Sequence, residues 1–136
     1  MRDSYHNLTV LPAIAPVVVS DNTAQVSAII DRLGYEEALF VINTGTLADA
    51  DATFTVLLED GNNSGLSDNA TVNDSFTLNT QSAASFTFAA DGVVRKIGYI
   101  GSKRYLRLTI TPANNTGAAP MSAMAILSRA ASRPVP

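Results

Sequence analysis

The sequence predicts an all-β fold, an antiparallel β-sandwich or a jelly-roll-like barrel of about eight strands. Short segments rich in β-branched and aromatic residues recur along the chain, and polar turn-forming residues separate them. A length of 136 residues, 46% of them hydrophobic, suits one domain with a modest core. We expect an extended N-terminal arm over residues 1–15, a sandwich domain over residues 16–128 and a C-terminal tail over residues 129–136.

The first third of the chain holds the arm and three candidate strands. Pro12 and Pro16 exclude a helix in the arm. The β-branched run of residues 17–19 predicts the first strand. Residues 21–33 fit either an amphipathic helix or a strand that ends in a turn, and the strand is favoured because the later segments are strand-like. The continuous apolar run of residues 37–42 predicts a central strand that is covered on both faces.

Alternation of apolar and polar residues predicts the middle and last strands. Between them, residues 60–74 are rich in Asn and Asp. This segment begins like a calcium-binding loop, but Thr71 stands where the bidentate Glu should be, so we expect a turn loop and no metal site. The alternating segments are residues 53–59, 76–78, 85–88 and 121–127.

Residues 97–106 carry the most specific local pattern, two short apolar strands around Gly101-Ser102. Glycine in the first position of a two-residue loop is typical of a type II′ β-hairpin. We therefore predict that the two strands pair through this turn. In that hairpin the core-facing side is mostly apolar. It holds Val93, Ile97, Tyr99, Leu106, Leu108 and Ile110, together with Arg95 and Arg104.

The opposite side of the predicted hairpin is cationic. It places Lys96 opposite Arg107 and sets Tyr105 over Gly98. Like charges in direct register destabilise a strand pair, so an acidic group of this chain or of a partner is expected nearby. Exposed basic and aromatic residues also suit a docking surface. The candidates for protein interaction are Lys96, Lys103, Arg104, Tyr105, Arg107, Pro12, Pro16, Arg129 and Arg133.

Charge is divided unequally along the chain. Residues 1–91 hold all 12 acidic residues and two of the nine basic ones, a balance of -10, whereas residues 92–136 hold seven basic residues and a balance of +7. Such a division can be used within the fold or between neighbouring copies. The overall pI of about 4.9 makes a nucleic-acid partner an unexpected one.

Composition excludes many kinds of active site. The sequence has no Cys and one His, which rules out a Cys nucleophile, a disulfide, a thiolate zinc site and any site with two histidine ligands. A Ser-His-Asp triad would need His6, in the predicted arm. We expect no enzymatic activity, no metal and no cofactor. No apolar run is long enough to cross a membrane, so no membrane partner is expected either.

Four segments are similar to a known family: residues 34–42, residues 54–61, above all residues 95–108, and residues 124–127 with the basic, proline-bearing tail that follows them. They resemble small virion structural proteins of tailed bacteriophages and prophages, most like head decoration (cement) proteins, over roughly residues 14–136. The resemblance implies a β-sandwich that binds and stabilises the capsid shell from outside, and it brings no catalytic residue. The implied partners are the major capsid protein and further copies of this chain, with a trimer as one candidate.

The same resemblance implies a place on the capsid exterior of the virion, after synthesis in the bacterial host cytoplasm. Two alternatives stay open from the sequence. One is a head–tail connector or tail component, and the other is a carbohydrate- or cell-surface-binding β-sandwich module.

Overall fold

The computed structural model describes residues 3–136, which form eleven strands, one short helix and two 3-10 turns. The strands are β1 (Thr9–Val19), β2 (Gln25–Val26), β3 (Ile30–Asp31), β4 (Tyr35–Thr44), β5 (Thr53–Gly61), β6 (Ala70–Thr71), β7 (Thr77–Leu78), β8 (Phe86–Thr87), β9 (Val94–Tyr99), β10 (Tyr105–Ala113) and β11 (Ala119–Ala130). The helix α1 covers Gln81–Ala84, and the 3-10 turns cover Asp74–Phe76 and Phe88–Ala90.

The strands form two antiparallel sheets that pack as a sandwich. The five-stranded sheet has the order β1-β11-β4-β9-β7. The six-stranded sheet has the order β2-β10-β5-β6, with β3 also on β10 and β8 also on β5. Successive long strands mostly change sheets, which is the connection pattern of a double-sheet jelly roll. The predicted all-β sandwich is confirmed.

The core lies between the two sheets and takes one face of each strand. In β5 the alternating residues Phe54, Val56 and Leu58 are buried, as predicted. Phe54 stacks on Phe86 with the ring centroids 4.9 Å apart. The apolar side predicted around residues 97–110 is also correct. Its buried members are Ile97, Tyr99, Leu106, Leu108 and Ile110.

Strand β4 is central, as predicted, since it pairs with β11 on one side and β9 on the other. The expectation that both of its faces are covered is wrong. Phe40 and Ile42 are fully buried, whereas Leu39 and Val41 point to the outer face and are only half-buried. The apolar run is continuous because the outer face of this sheet carries apolar residues of its own.

The expected division between an extended arm over residues 1–15 and the sandwich domain is wrong for residues 9–15, which belong to β1. This strand pairs with β11 from Thr9↔Leu127 to Val19↔Ala119, and it buries Ala13 and Ile14 in the core. Its register shifts lie on either side of Ile14, which fits the two prolines into an edge strand. Residues 3–8 form a turn before the strand, and residues 1–2 of the expected arm lie outside the described residues.

Residues 21–33 contain two short strands on β10, β2 (Gln25–Val26) and β3 (Ile30–Asp31), and no helix, which agrees with the favoured strand interpretation. The expected tail begins inside β11, which ends at Ala130. Beyond it, the Ala131 N–H donates to the Gly34 carbonyl at 2.8 Å, and the Val135 N–H donates to the His6 carbonyl at 3.0 Å. The last residues therefore lie against the N-terminal turn.

The predicted hairpin of residues 97–106 is wrong, because β9 and β10 lie in different sheets. In the five-stranded sheet Lys96 stands opposite Val41, and in the six-stranded sheet Arg107 stands opposite Glu59. Gly98 is covered by Leu78: a Cβ added at Gly98 would lie 3.2 Å from the Leu78 Cβ.

The physical reason for this error is that both arrangements bury the same residues. Each strand has one apolar face, and the core accepts those faces equally well from one sheet or from two facing sheets. Residues 100–104 separate the two strands, and five residues can cross the roughly 10 Å between packed sheets.

Candidate interaction surfaces

Arg32 fixes the crossover that joins β9 to β10. Its guanidinium donates to the Lys103 carbonyl and, at 2.8 Å, to the Gly101 carbonyl, and it lies 5.2 Å from the centroid of the Tyr99 ring. The same group donates to the carbonyls of Tyr35 and Glu36 at 3.2 and 3.1 Å. The sequence analysis did not select Arg32. The available signal was that it is one of only two basic residues in the acidic part of the chain.

Tyr99 holds the same crossover from the core side. Its hydroxyl donates to Asp60 Oδ2 at 2.7 Å and accepts from the Lys103 N–H at 3.0 Å. Burial of the ring, together with the hydrogen bond to Asp60, raises the pKa of Tyr99 to about 12. Gly101 packs so closely that an added Cβ would lie 2.8 Å from Tyr99 Cε2. The basic residues of the crossover are therefore presented on a fixed backbone.

Basic residues gather around the Gly34–Tyr35 turn at one end of the sandwich. One surface depression beside this turn is lined by Arg32, Ser102 and Arg104, and another by Arg129 and Arg133. Lys103 belongs to the crossover that Arg32 holds. We call this region the basic end and define it as Arg32, Lys103, Arg104, Arg129 and Arg133.

Two arginines of the basic end are neutralised by acids of this chain. Arg104 makes a bidentate contact with Asp31, with both nitrogen–oxygen distances 2.9 Å, and this contact holds the pKa of Asp31 below its usual value. Arg104 also lies 4.9 Å from the centroid of the Tyr105 ring. Arg129 Nε lies 3.1 Å from a carboxylate oxygen of Glu36.

Lys103 and Arg133 differ from these two arginines. Both are exposed, and neither makes an ion pair with a side chain within residues 3–136. Arg32 also makes no ion pair there, but it is partly buried and its guanidinium is used by backbone carbonyls. Lys103 and Arg133 are therefore the exposed basic groups at this end that remain available to a partner.

Arg107 lies apart from the basic end, on the six-stranded sheet. Its guanidinium donates to Glu59 Oε1 at 3.0 Å, and Glu59 also accepts from the Asn69 side chain. Glu59 is buried, so Arg107 serves to neutralise it. The expected single cationic face of Lys96, Lys103, Arg107 and Tyr105 is therefore wrong.

The ion pairs explain part of the charge division along the chain. Arg104, Arg107 and Arg129 each join the basic last third to an acid of the earlier part. The internal use of the division is thus confirmed for these three arginines.

Lys96 lies on the outer face of the five-stranded sheet, where apolar residues form rows across the strands. The middle row contains Val10, Ile126, Leu39, Gly98 and Leu78, in the order β1-β11-β4-β9-β7. The row on one side of it contains Pro12, Met124, Val41 and Lys96. We call these two rows the apolar face. Val10, Leu78 and Met124 expose 56%, 61% and 40% of their surface.

A shallow groove of about 370 Å³ runs along the other side of the middle row. Its polar lining comes from Glu37 and Ser128, which oppose each other on β4 and β11. Its apolar lining comes from Leu8, Leu39, Leu78, Ile100 and Ile126. The two prolines of β1 lie on different surfaces. Pro12 pairs with Met124 and belongs to the apolar face. Pro16 lies at the irregular part of the β1 edge and lines a second depression beside Val18 and Pro120.

Other kinds of site receive little support from the described part of the chain. Residues 3–136 contain no group of three His, Asp or Glu side chains placed to hold a metal ion. His6 contacts Asp3 within the N-terminal turn. None of the helices in residues 3–136 has the length and apolar character needed to cross a membrane.

Comparisons with known proteins concern the fold. No family model matches the chain, and a search of curated proteins finds no match. Among solved structures, the PBSX exported protein XepA is similar with a TM-score of 0.58 and 15% identity over 95% of this chain, which spans 39% of the XepA chain. A chain of the cyanophage Pam1 capsid asymmetric unit is similar with a TM-score of 0.51 and 11% identity, over 94% of this chain and 89% of that one.

A chain of infectious bursal disease virus, Gx strain, is also similar, with a TM-score of 0.50 and 13% identity over 93% of this chain and 33% of that chain. At these identities the likeness establishes a shared β-sandwich architecture, and function has to be argued from the surfaces of this chain.

Proposed function

We propose that this protein is a non-enzymatic virion structural protein of a tailed phage or prophage, which binds the outside of the capsid shell as a head decoration protein and stabilises it. The observation that carries this proposal is the basic end, where Lys103 and Arg133 are exposed and make no ion pair within residues 3–136. Lys103 stands on the crossover that Arg32 and Tyr99 hold in place. The partner surface is an acidic patch of the major capsid protein.

The fold supports the same setting. Two of the similar structures are an exported protein of PBSX and a chain of a cyanophage capsid. Jelly-roll sandwiches recur in viral capsids, where rigid domains are joined through their surfaces and no pocket is required. The sequence resemblance to decoration proteins points in the same direction.

The mechanism is electrostatic docking repeated over a lattice. Two unpaired basic groups give a weak contact, because exposed charges are well hydrated and screened by salt. Many copies on one shell engage together, and further contacts between neighbouring copies multiply these weak affinities. A fixed crossover helps, because little conformational freedom is then lost on docking.

The test is co-sedimentation with empty shells of the major capsid protein from the phage or prophage that encodes this chain. We expect the wild-type protein to bind, with occupancy falling as NaCl rises from about 50 to about 500 mM. The double variant Lys103→Ala with Arg133→Ala should bind at least about tenfold more weakly, because it removes the two exposed charges of the basic end that make no ion pair within residues 3–136.

A matched control keeps the same change in net charge. Thr53→Glu with Thr55→Glu also lowers the charge by two, but on exposed positions of β5 in the six-stranded sheet, and it should bind like the wild type. Wild-type protein that does not bind shells in low salt would overturn the proposal, and so would equal weakening by both double variants.

Two alternative functions predict different experimental results. Closed rings of the purified protein in electron micrographs, with no binding to shells, would favour the head–tail or tail component. Specific binding to a glycan array would favour the carbohydrate-binding module.

A further inference from the structure

We propose that the apolar face and its neighbouring groove form a self-association surface, through which two copies of this chain pack face to face about a two-fold axis along the middle row. This deepens the proposed function, on which its biological setting rests, by naming the contact between neighbouring copies. The association itself is a property of the purified chain and can be measured without shells.

The arrangement of rows makes this face complementary to itself. Rotation about an axis along the middle row brings the row on one side over the row on the other side. The row of Pro12, Met124, Val41 and Lys96 then covers the position of Glu37 and Ser128 in the second copy. Because the contact is isologous, every cross-contact occurs twice.

Charge favours this register. Glu37 lies two residues from Leu39 along β4, and Lys96 lies opposite Val41, two residues from Leu39 in the other direction. Each is therefore about 7 Å from the proposed axis, and their strands are neighbours about 4.8 Å apart. The rotation brings Lys96 of one copy within side-chain reach of Glu37 in the other.

The contacts that Lys96 and Glu37 make within one copy leave both side chains able to pair with a second copy. Lys96 is exposed and makes no ion pair within residues 3–136. Glu37 accepts from the Ser128 hydroxyl at 3.0 Å and lies 3.6 Å from Arg129 Nη1, and its side chain is still 48% exposed. An acidic group on a second copy's surface is thus available to neutralise Lys96.

Shape favours the same register. Met124 is 40% exposed and lies on β11 in the row beside the axis. Rotation places it over the Ser128 end of the groove in the second copy, where Leu39 and Ile126 supply apolar walls. A flexible thioether side chain adapts well to a shallow apolar groove.

The size of the face sets the expected strength. Five strands about 4.8 Å apart give a width of about 24 Å, and three rows about 7 Å apart give a length of about 20 Å. The two copies would then bury roughly 1,000 Å² in total, which is at the small end of specific protein interfaces. We therefore expect a weak dimer that forms at tens to hundreds of micromolar in solution. On a shell, high local concentration would favour the same contact.

The test is sedimentation velocity of the purified chain from about 10 µM to about 1 mM, with charge reversal at the two sites. The wild-type mass should rise from the 14.3 kDa monomer toward the dimer. Glu37→Lys alone and Lys96→Glu alone should each weaken association at least about tenfold, because each sets like charges against one another. The double variant should return to within about threefold of the wild type.

Two controls exclude a general effect of charge. Asp51→Lys changes an exposed loop residue and Lys103→Glu changes the basic end, and both should dimerise like the wild type. Circular dichroism and thermal midpoints establish that all variants are folded. A wild-type chain that stays monomeric at 1 mM, a trimer, or a folded double variant without recovery would overturn the inference.

The two proposals fail separately. Lys103→Ala with Arg133→Ala should lose shell binding and still dimerise. Wild-type shell binding with no dimer in solution would overturn the self-association inference and leave the proposed function in place.

Discussion

Tyr99 and Arg32 determine where the crossover residues stand. Tyr99 is 1% exposed, yet its hydroxyl reaches Asp60 and the Lys103 N–H, so a core residue acts on the surface loop. Arg32 satisfies carbonyl groups that the crossover would otherwise leave without partners. Periodicity identified Tyr99 as a core residue. It could not show the role of Arg32, because that role depends on loops brought together from distant parts of the chain.

The raised pKa of Tyr99 predicts a specific loss of stability at alkaline pH. An unfolded tyrosine ionises near pH 10, whereas Tyr99 in the fold keeps its proton to about pH 12. Below pH 10 the contribution is fully present, and between pH 10 and 12 the unfolded state binds fewer protons than the native state, so stability falls. We expect this term to amount to roughly 2–3 kcal/mol.

Chemical denaturation at pH 8 to 12 measures this loss. Tyr99→Phe should be less stable than the wild type at pH 8, because it loses two hydrogen bonds, and its stability should fall less steeply above pH 10. Tyr5→Phe removes an exposed hydroxyl and should keep the wild-type slope. Parallel curves for wild type and Tyr99→Phe would contradict the assignment.

The basic candidates illustrate what a sequence leaves undecided at the residue scale. Arg104, Arg107, Lys103 and Arg133 have the same charge, but only the fold determines which of them faces an acid of this chain. Glu59 stands 48 positions before Arg107 and becomes its cross-strand neighbour through sheet pairing. Local spacing contains no information about which distant residues become neighbours. The sequence therefore could not show which basic residues form ion pairs within the chain and which are left unpaired.

At the scale of elements, the sequence was a good guide to faces and a poor guide to partners. A period of two identifies the buried side of a strand wherever the strand sits, and most of β5 and β10 follows it. In β9 the alternation is lost at Gly98, which is buried under Leu78. Pairing depends on which sheet the strand joins, and the crossover of residues 100–104 resembles a tight turn locally. The prediction is right for residues 17–19 of β1 and wrong for residues 9–15, because prolines suit an edge strand and an extended arm equally well.

The position of β1 in the sandwich predicts unequal costs for two of its residues. Ile14 is 6% exposed and packs in the core, so Ile14→Ala should lower the free energy of unfolding by about 2–4 kcal/mol. Val18 is 61% exposed on the same strand, so Val18→Ala should change it by less than about 0.5 kcal/mol. Urea denaturation monitored by circular dichroism gives both values. A free arm would make both substitutions neutral.

At the scale of the whole molecule, the two ends of the chain depend on each other. β11 lies between β1 and β4, so the last long strand joins the first strand to the middle of the five-stranded sheet. The register pairs Thr9 with Leu127 and Ala38 also with Leu127, which links positions more than 85 residues apart. Contacts of such sequence separation form late and make folding slow and cooperative. Composition and alternation predict the sandwich, but they contain no information about the order of the strands within each sheet.

The bridging position of β11 predicts that the chain folds only when its last strand is present. A fragment of residues 1–118 lacks β11. In this fragment β1 has no neighbouring strand, and the backbone of β4 has no hydrogen-bonding partner on the side where β11 would lie. We expect it to be largely unfolded by circular dichroism, whereas a chain that ends at Ala130 keeps every strand and should fold.

A peptide of residues 119–136 added to the fragment should restore the strand signal, because it supplies the missing hydrogen bonds and the buried side chains of β11. A peptide with Leu127→Asp, which places a charge at a position 1% exposed, is the matched control and should not restore it. Native-like strand content in the fragment alone would mean that the five-stranded sheet closes without β11, contrary to the topology on which both proposed surfaces rest.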